Sequence, residues 1–164
     1  MTISDTKPLK VFIGVSSCLL GHKVRYDGKG KIDSYITGVL GRHFDLLPIC
    51  PETEAGMSVP REPVHLVGRP TSPKMIGNSS GADQTGRINL FLEGRIPELE
   101  RGNVCGCILK SGSPSCGLQK IPVITGGKKQ RIGVGLFARA LTEVLPLVPV
   151  VDEIKLRDPA LRLN

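Results

Sequence analysis

The sequence has no tryptophan and only 4% aromatic residues, which leaves few of the flat side chains on which single-stranded nucleic acids stack. No apolar run is long enough to span a bilayer, and the opening residues MTISDTKPLK lack the apolar core of a secretory signal. A cytoplasmic protein with no membrane partner is expected. There is no C-x-x-C pair, and five cysteines are an odd number, so neither a dithiol redox motif nor a disulfide framework is supported. In a reducing compartment these thiols are free to ligate metal. Internal repeats and low-complexity tracts are also absent. What remains, 164 residues with 40% hydrophobic and 23% charged positions, is the make-up of one globular domain. A formal charge of +7 favours anionic ligands such as nucleotides or RNA.

Apolar runs divide the chain into alternating strands and helices. Lys10 to Val15, Phe44 to Ile49, Val104 to Leu109 and Leu147 to Val151 read as buried strands. A short helix is expected over Ile32 to Leu40, starting near Asp33 or Ser34, and a more regular one over Val134 to Leu145. Ile88 to Glu100 has a helical stripe interrupted by Gly94 and Pro97, which predicts a kinked or broken helix. Residues 53–86, rich in Gly, Pro, Ser and Asn, read as mostly irregular with a short strand at Val64 to Val67. The expected fold is therefore α/β: a single Rossmann-like domain with a mainly parallel sheet of about four strands. Its boundaries are an N-terminal tail over 1–9, the domain over 10–152 and a C-terminal tail over 153–164.

Three cysteines follow three of these strands. Cys18 comes after the first, Cys50 after the second and Cys116 in the loop after the third. Ligand sites in open α/β sheets form at the carboxyl ends of the strands, so the topology brings the three thiols to one rim. Residues that prevent regular structure flank each of them: Leu19-Leu20-Gly21, Pro48 and Pro51, and Ser113-Pro114-Ser115. Small core hydrophobes do not need such surroundings. Three thiolates suit soft metals and iron-sulfur clusters, and on a four-iron cluster they leave one iron without a protein ligand. Cys105 and Cys107 alternate within the third strand and read as core packing on one face. His22, His43 and His65 show no ligand spacing.

Glu52, two residues after Cys50, is a candidate proton carrier or else a turn carboxylate. Ser111, Ser113 and Ser115 place hydroxyls beside Cys116, where loop hydrogen bonding is the plainer role. Arg25 can clamp a phosphate or pair with Asp27. Lys128, Lys129 and Arg131 read as a solvated basic loop, and Gly133-x-Gly135 as a weak anion signal.

Ser16-Ser17-Cys18-Leu19-Leu20-Gly21 with Val24-Arg25-Tyr26-Asp27-Gly28, then Pro48-Ile49-Cys50-Pro51-Glu52, then Lys110 through Gly117, together resemble the thiouracil desulfidase (TudS-like) family. The resemblance runs from about Val11 to the C-terminus. It implies an oxygen-sensitive 4Fe-4S cluster held by Cys18, Cys50 and Cys116, and removal of sulfur from thiolated uracil or uridine species. It further implies that Glu52 is catalytic together with a serine, matched to Ser113 and secondarily to Ser111; Arg25, for its bidentate guanidinium, is the substrate-binding candidate. Residues 53–86 depart from a short family member, so substrate contacts there do not transfer. The tail with Leu156-Arg157-Asp158-Pro159 is similar to the junction at which larger relatives begin a second domain linked to thiolated tRNA. Expected substrates are thus a small thiolated nucleobase or nucleotide, or tRNA. The rival reading is a non-catalytic RNA-binding module in which the cysteines hold a structural metal. A thiol redox enzyme using Cys116 as nucleophile has no C-x-x-C or neighbouring histidine to support it.

Overall fold

Four short strands with buried apolar residues build a parallel sheet in the order β2-β1-β5-β8. They are β1 (Phe12–Ser16), β2 (Asp45–Ile49), β5 (Val104–Leu109) and β8 (Val150–Asp152). The computed structural model describes residues 10–162; the tail expected over 1–9 and the last two residues lie outside the described residues. Every expected strand of this sheet is present, with β8 beginning three residues later than its apolar run. The α/β class and the mainly parallel sheet hold.

Helices cover both faces. Asp33 caps α1 (Ser34–Gly38) by accepting from the Tyr35 and Ile36 amides at 3.0 and 3.1 Å. Ile36 packs with Val15, Leu19 and Ile108 in a small core on that face. On the other face lie α3 (Thr85–Arg101) and α4 (Leu136–Val144). Of the kinked or broken helix expected here, the break is absent: α3 runs unbroken through Gly94 and Pro97. Its stripe of Ile88, Leu92, Ile96 and Leu99 is buried in the larger core, and that burial outweighs one missing backbone bond.

The second sheet departs furthest from expectation. It has the order β4-β3-β6-β7 and comes from two hairpins, β3 (Val64–Arg69) with β4 (Ser72–Gly77), and β6 (Ile121–Thr125) with β7 (Lys128–Gly133). Each hairpin is inserted in a crossover of the parallel sheet, and the two join through the parallel β3–β6 pair. Residues 53–86 are therefore not mostly irregular, and the basic cluster 128–131 is strand, not loop. β4 hides its alternation because Pro73, Met75 and Gly77 are its inward positions, with Pro73 tolerated on an edge strand. β7 is exposed at every residue before Gly133 and so has no hydrophobic period to detect. Gly126 and Gly127, at φ 55° and 76°, make its two-residue turn.

Cys105 and Cys107 are not a same-face pair. The β1–β5 register steps from Phe12↔Val104 to Ile13↔Gly106, which leaves Cys105 as the extra residue of a bulge. Cys105 is exposed and Cys107 buried.

Candidate active site

Three strand ends and the turns that follow them make the walls of one cavity of about 250 Å³. Ser16 ends β1, and Cys18 sits in a single 3₁₀ turn closed by Gly21 at φ 92°. Cys50 follows β2 as the N-cap of the one-turn helix α2 (Pro51–Glu54), its amide donating to Glu54 Oε1 at 2.7 Å. After β5 the loop 110–117 crosses the rim, fastened by the Lys110 amide donating to Ser16 Oγ at 2.9 Å. Cys116 lies at its end and docks beside α4, where the Phe137 and Ala138 amides donate to the Ser115 carbonyl at 2.9 and 3.2 Å. Only glycine fits at 135, since a Cβ there would stand 2.4 Å from the Ser115 carbonyl oxygen.

Cys18, Cys50 and Cys116 all line this cavity, as do Arg25, Glu52, Ser111 and Ser113. The topology thus brings these seven residues to one cavity. Burial, and secondarily Cys50, pushes the Cys18 thiol up to about 11, and burial pushes Cys116 up as well. Cys18 and Cys116, so placed, stay protonated until a cation compensates their charge. Among the described residues no three His, Cys, Asp or Glu side chains close on a point as a single ion requires. A lone zinc draws its sulfur ligands to about 2.3 Å from one centre. An iron-sulfur cluster spreads them over separate irons, and three soft donors around a shared cavity fit it. The chemistry of the donor set thus suits an iron-sulfur cluster.

The hydrogen bonds sort the polar residues. Glu52 is 9% exposed. Its Oε2 accepts from Arg61 Nε at 2.8 Å and lies in ion-pair contact with Nη2 at 2.6 Å, and its Oε1 accepts from the Ser115 hydroxyl at 2.6 Å. A carboxylate only accepts, so the Ser115 proton is committed to Glu52. Ser111 likewise gives its proton to Glu153 Oε1 at 2.7 Å while accepting from Lys110 Nζ at 3.0 Å. Ser113 Oγ accepts from the Ser115 and Cys116 amides at 3.2 and 3.1 Å. Of the three serines, Ser113 alone has no protein acceptor for its proton among the described residues. Arg25 takes the alternative it was given, a two-point pair with Asp27 at 3.2 Å and 3.2 Å, although it still lines the cavity.

Sequence reasoning missed Arg61, Lys110 and Glu153, and did not separate Ser115 from its neighbours. Arg61 lies nine positions after Glu52 in no motif, and nothing in its surroundings signals it. Glu153 is 5% exposed at the end of β8 and holds both Lys110 and the Ser111 amide. The histidines stay outside the cavity: His22 and His43 are exposed, and His65 Nδ1 lies 2.6 Å from Asn78 Oδ1.

Residues 13–153 match the 2-thiouracil desulfurase family. The chain belongs to that family. A relative, the uncharacterized protein YbbK of Bacillus subtilis (strain 168), is 33% identical over 137 residues, 79% of this chain and 88% of YbbK. The solved structure of the 4Fe-4S-dependent thiouracil desulfidase TudS superposes with a TM-score of 0.71 at 32% identity, covering 94% of this chain and 98% of TudS. Membership in the 2-thiouracil desulfurase family agrees with the three motifs that suggested it, since the match starts in β1 and ends at Glu153. No helix among the described residues is long and apolar enough to cross a membrane.

Proposed function

We propose that the chain is a 4Fe-4S-dependent desulfidase that takes sulfur from a thiolated uracil or uridine species and leaves the oxo base. One observation carries the reading: Cys18, Cys50 and Cys116 line a single cavity together with the buried Glu52 carboxylate. The family and the likeness to TudS support it. The net reaction exchanges a thiocarbonyl and water for a carbonyl and hydrogen sulfide, with no change of oxidation state.

Cys18, Cys50 and Cys116 hold the cluster in this reading, which when bound supplies an iron without a protein ligand as a Lewis acid for the substrate sulfur. Glu52 takes a proton from the attacking water, and Ser113 offers its uncommitted proton to the base or to the leaving sulfur. Ser111 keeps the loop 110–112 in place through Glu153. Arg25 stands at the mouth, where an anionic substrate could exchange with Asp27 for its guanidinium. Between Glu100 and Glu143 the chain has seven Lys and Arg and no acidic residue. That concentration favours a nucleotide or RNA over a neutral base.

Protein purified without oxygen is expected to carry about four irons per chain with labile sulfide. It should release sulfide from 2-thiouracil, 4-thiouridine monophosphate or thiolated tRNA, seen as loss of thiocarbonyl absorbance. The three arms identify the substrate. Glu52→Gln should keep the iron and lower turnover about a hundredfold per iron. Stoichiometric zinc without sulfide refutes the cluster. An intact cluster with no sulfide release in any arm refutes the reaction and favours the RNA-binding module.

A further inference from the structure

We propose that Arg61 is a positioning residue with two tasks: it makes Oε1 the proton-accepting oxygen of Glu52, and it fastens the Val24–Asp27 wall of the cavity to that carboxylate. The inference rests on the desulfidase reading and adds a residue to it.

The Arg61 side chain is 7% exposed. A guanidinium has five N–H donors in a fixed plane. Two of its nitrogens converge on one oxygen, Glu52 Oε2, at 2.8 and 2.6 Å. The guanidinium charge therefore lies against that oxygen, through the Nε bond and the Nη2 ion-pair contact, and makes it the weaker proton acceptor of the two. Oε1 accepts one bond, from Ser115, and keeps a second lone pair. Proton transfer from water is thereby directed to Oε1, the oxygen away from the guanidinium. The third nitrogen, Nη1, turns away from the carboxylate and donates to the Val24 carbonyl at 3.0 Å and the Ser58 carbonyl at 3.2 Å. The Arg61 amide donates to the Tyr26 carbonyl at 2.9 Å. Val24, Arg25 and Tyr26 all line the cavity. One side chain therefore joins the catalytic carboxylate to the wall that bears Arg25. Lysine cannot replace it, because a single ammonium point cannot fork on an oxygen and also reach two diverging carbonyls.

The alternative is a buried arginine that only compensates the charge of Glu52. Arg61→Lys separates the two, since it keeps the charge and loses the plane. We expect Arg61→Lys to load iron normally, to lose about thirtyfold in kcat and to gain several-fold in KM. In a Glu52→Gln background the same change should cost less than about threefold in kcat, because no acceptor is left to aim. Amide exchange over residues 24–28 should accelerate in Arg61→Lys and not in Glu52→Gln. Effects on kcat that multiply in the double variant, or a kcat of Arg61→Lys within twofold of wild type, overturn the first task. Unchanged exchange overturns the second. If Arg61→Lys fails to load iron, Arg61→Ala titrated with guanidinium decides: recovery of turnover supports the first task and no recovery overturns it. A wild-type chain that holds its cluster and releases no sulfide removes the desulfidase reading and Oε1's role with it, while the exchange measurement still judges the wall.

Discussion

The two sheets share a core and divide the labour. The parallel sheet β2-β1-β5-β8 delivers all three candidate ligands from the carboxyl ends of its strands, and its positions are mostly apolar. The mixed sheet β4-β3-β6-β7 contributes Leu66, Met75, Ile121 and Val123 to the larger core and turns a basic, exposed edge outward at β7. The first is constrained by two buried faces and a chemical site. The second is a pair of hairpins added to the crossovers, constrained on one face only. Substitutions in the two should therefore differ in kind.

The largest difference is expected at the thiols. Replacing Cys18, Cys50 or Cys116 singly by Ser should remove more than about nine-tenths of the iron and the activity. Iron analysis after anaerobic purification checks it. If any of the three proved dispensable for iron, the ligand set would be wrong. Glu153→Gln should come next, costing about 2–3 kcal/mol of stability at neutral pH by leaving Lys110 without its buried partner. Burial alone would raise the Glu153 carboxyl, but its bonds with Lys110 and Ser111 prevail and hold it below the usual carboxylate range. A lowered folded value means that the stabilisation is complete above the unfolded pKa and fades as pH falls through the folded one. Denaturation of wild type and variant should thus show a constant gap from pH 6 to 8 that narrows below about pH 4. A gap that widened in acid would refute the pair.

The bulge in β5 offers a smaller contrast. Cys107→Ser should cost roughly 1–2 kcal/mol, and Cys105→Ser less than about 0.5. Burial pushes the Cys107 thiol up to about 11, so alkylation at pH 8 should mark Cys105 well before Cys107. Mass spectrometry of peptides reads the order. Smallest of all, Lys128→Gln with Lys129→Gln should change stability by less than about 0.5 kcal/mol and leave iron untouched. It should raise KM a few-fold for a nucleotide at low salt and leave KM for a neutral base alone. Equal effects on the two substrates would show that the β7 edge does not steer anions.

The contrast between the sheets also explains what could be read in advance. β1 and β5 are apolar runs because they are the central strands of the sheet, and Asp33 announces α1 through its capping bonds. The three cysteines stand out because strand-end turns surround them. By contrast, β7 presents no apolar period, and β4 carries proline and glycine at its inward positions. Ser111, Ser113 and Ser115 are indistinguishable along the chain. Only their acceptors among the described residues separate them: Glu153, none, and Glu52.

Sequence alone determined the parallel α/β frame and the family, and it singled out the three cysteines and Glu52 that share the cavity, since these depend on local runs, turns and motif spacing. Tertiary structure decided the second sheet, the bulge that exposes Cys105, the commitment of each serine and the place of Arg61. Those depend on pairings such as Val24 with Arg61, 37 positions apart, and Ser115 with Glu52, 63 apart. A hydrogen bond is fixed by where two groups meet in space, and the chain brings such groups together only when the sheets close.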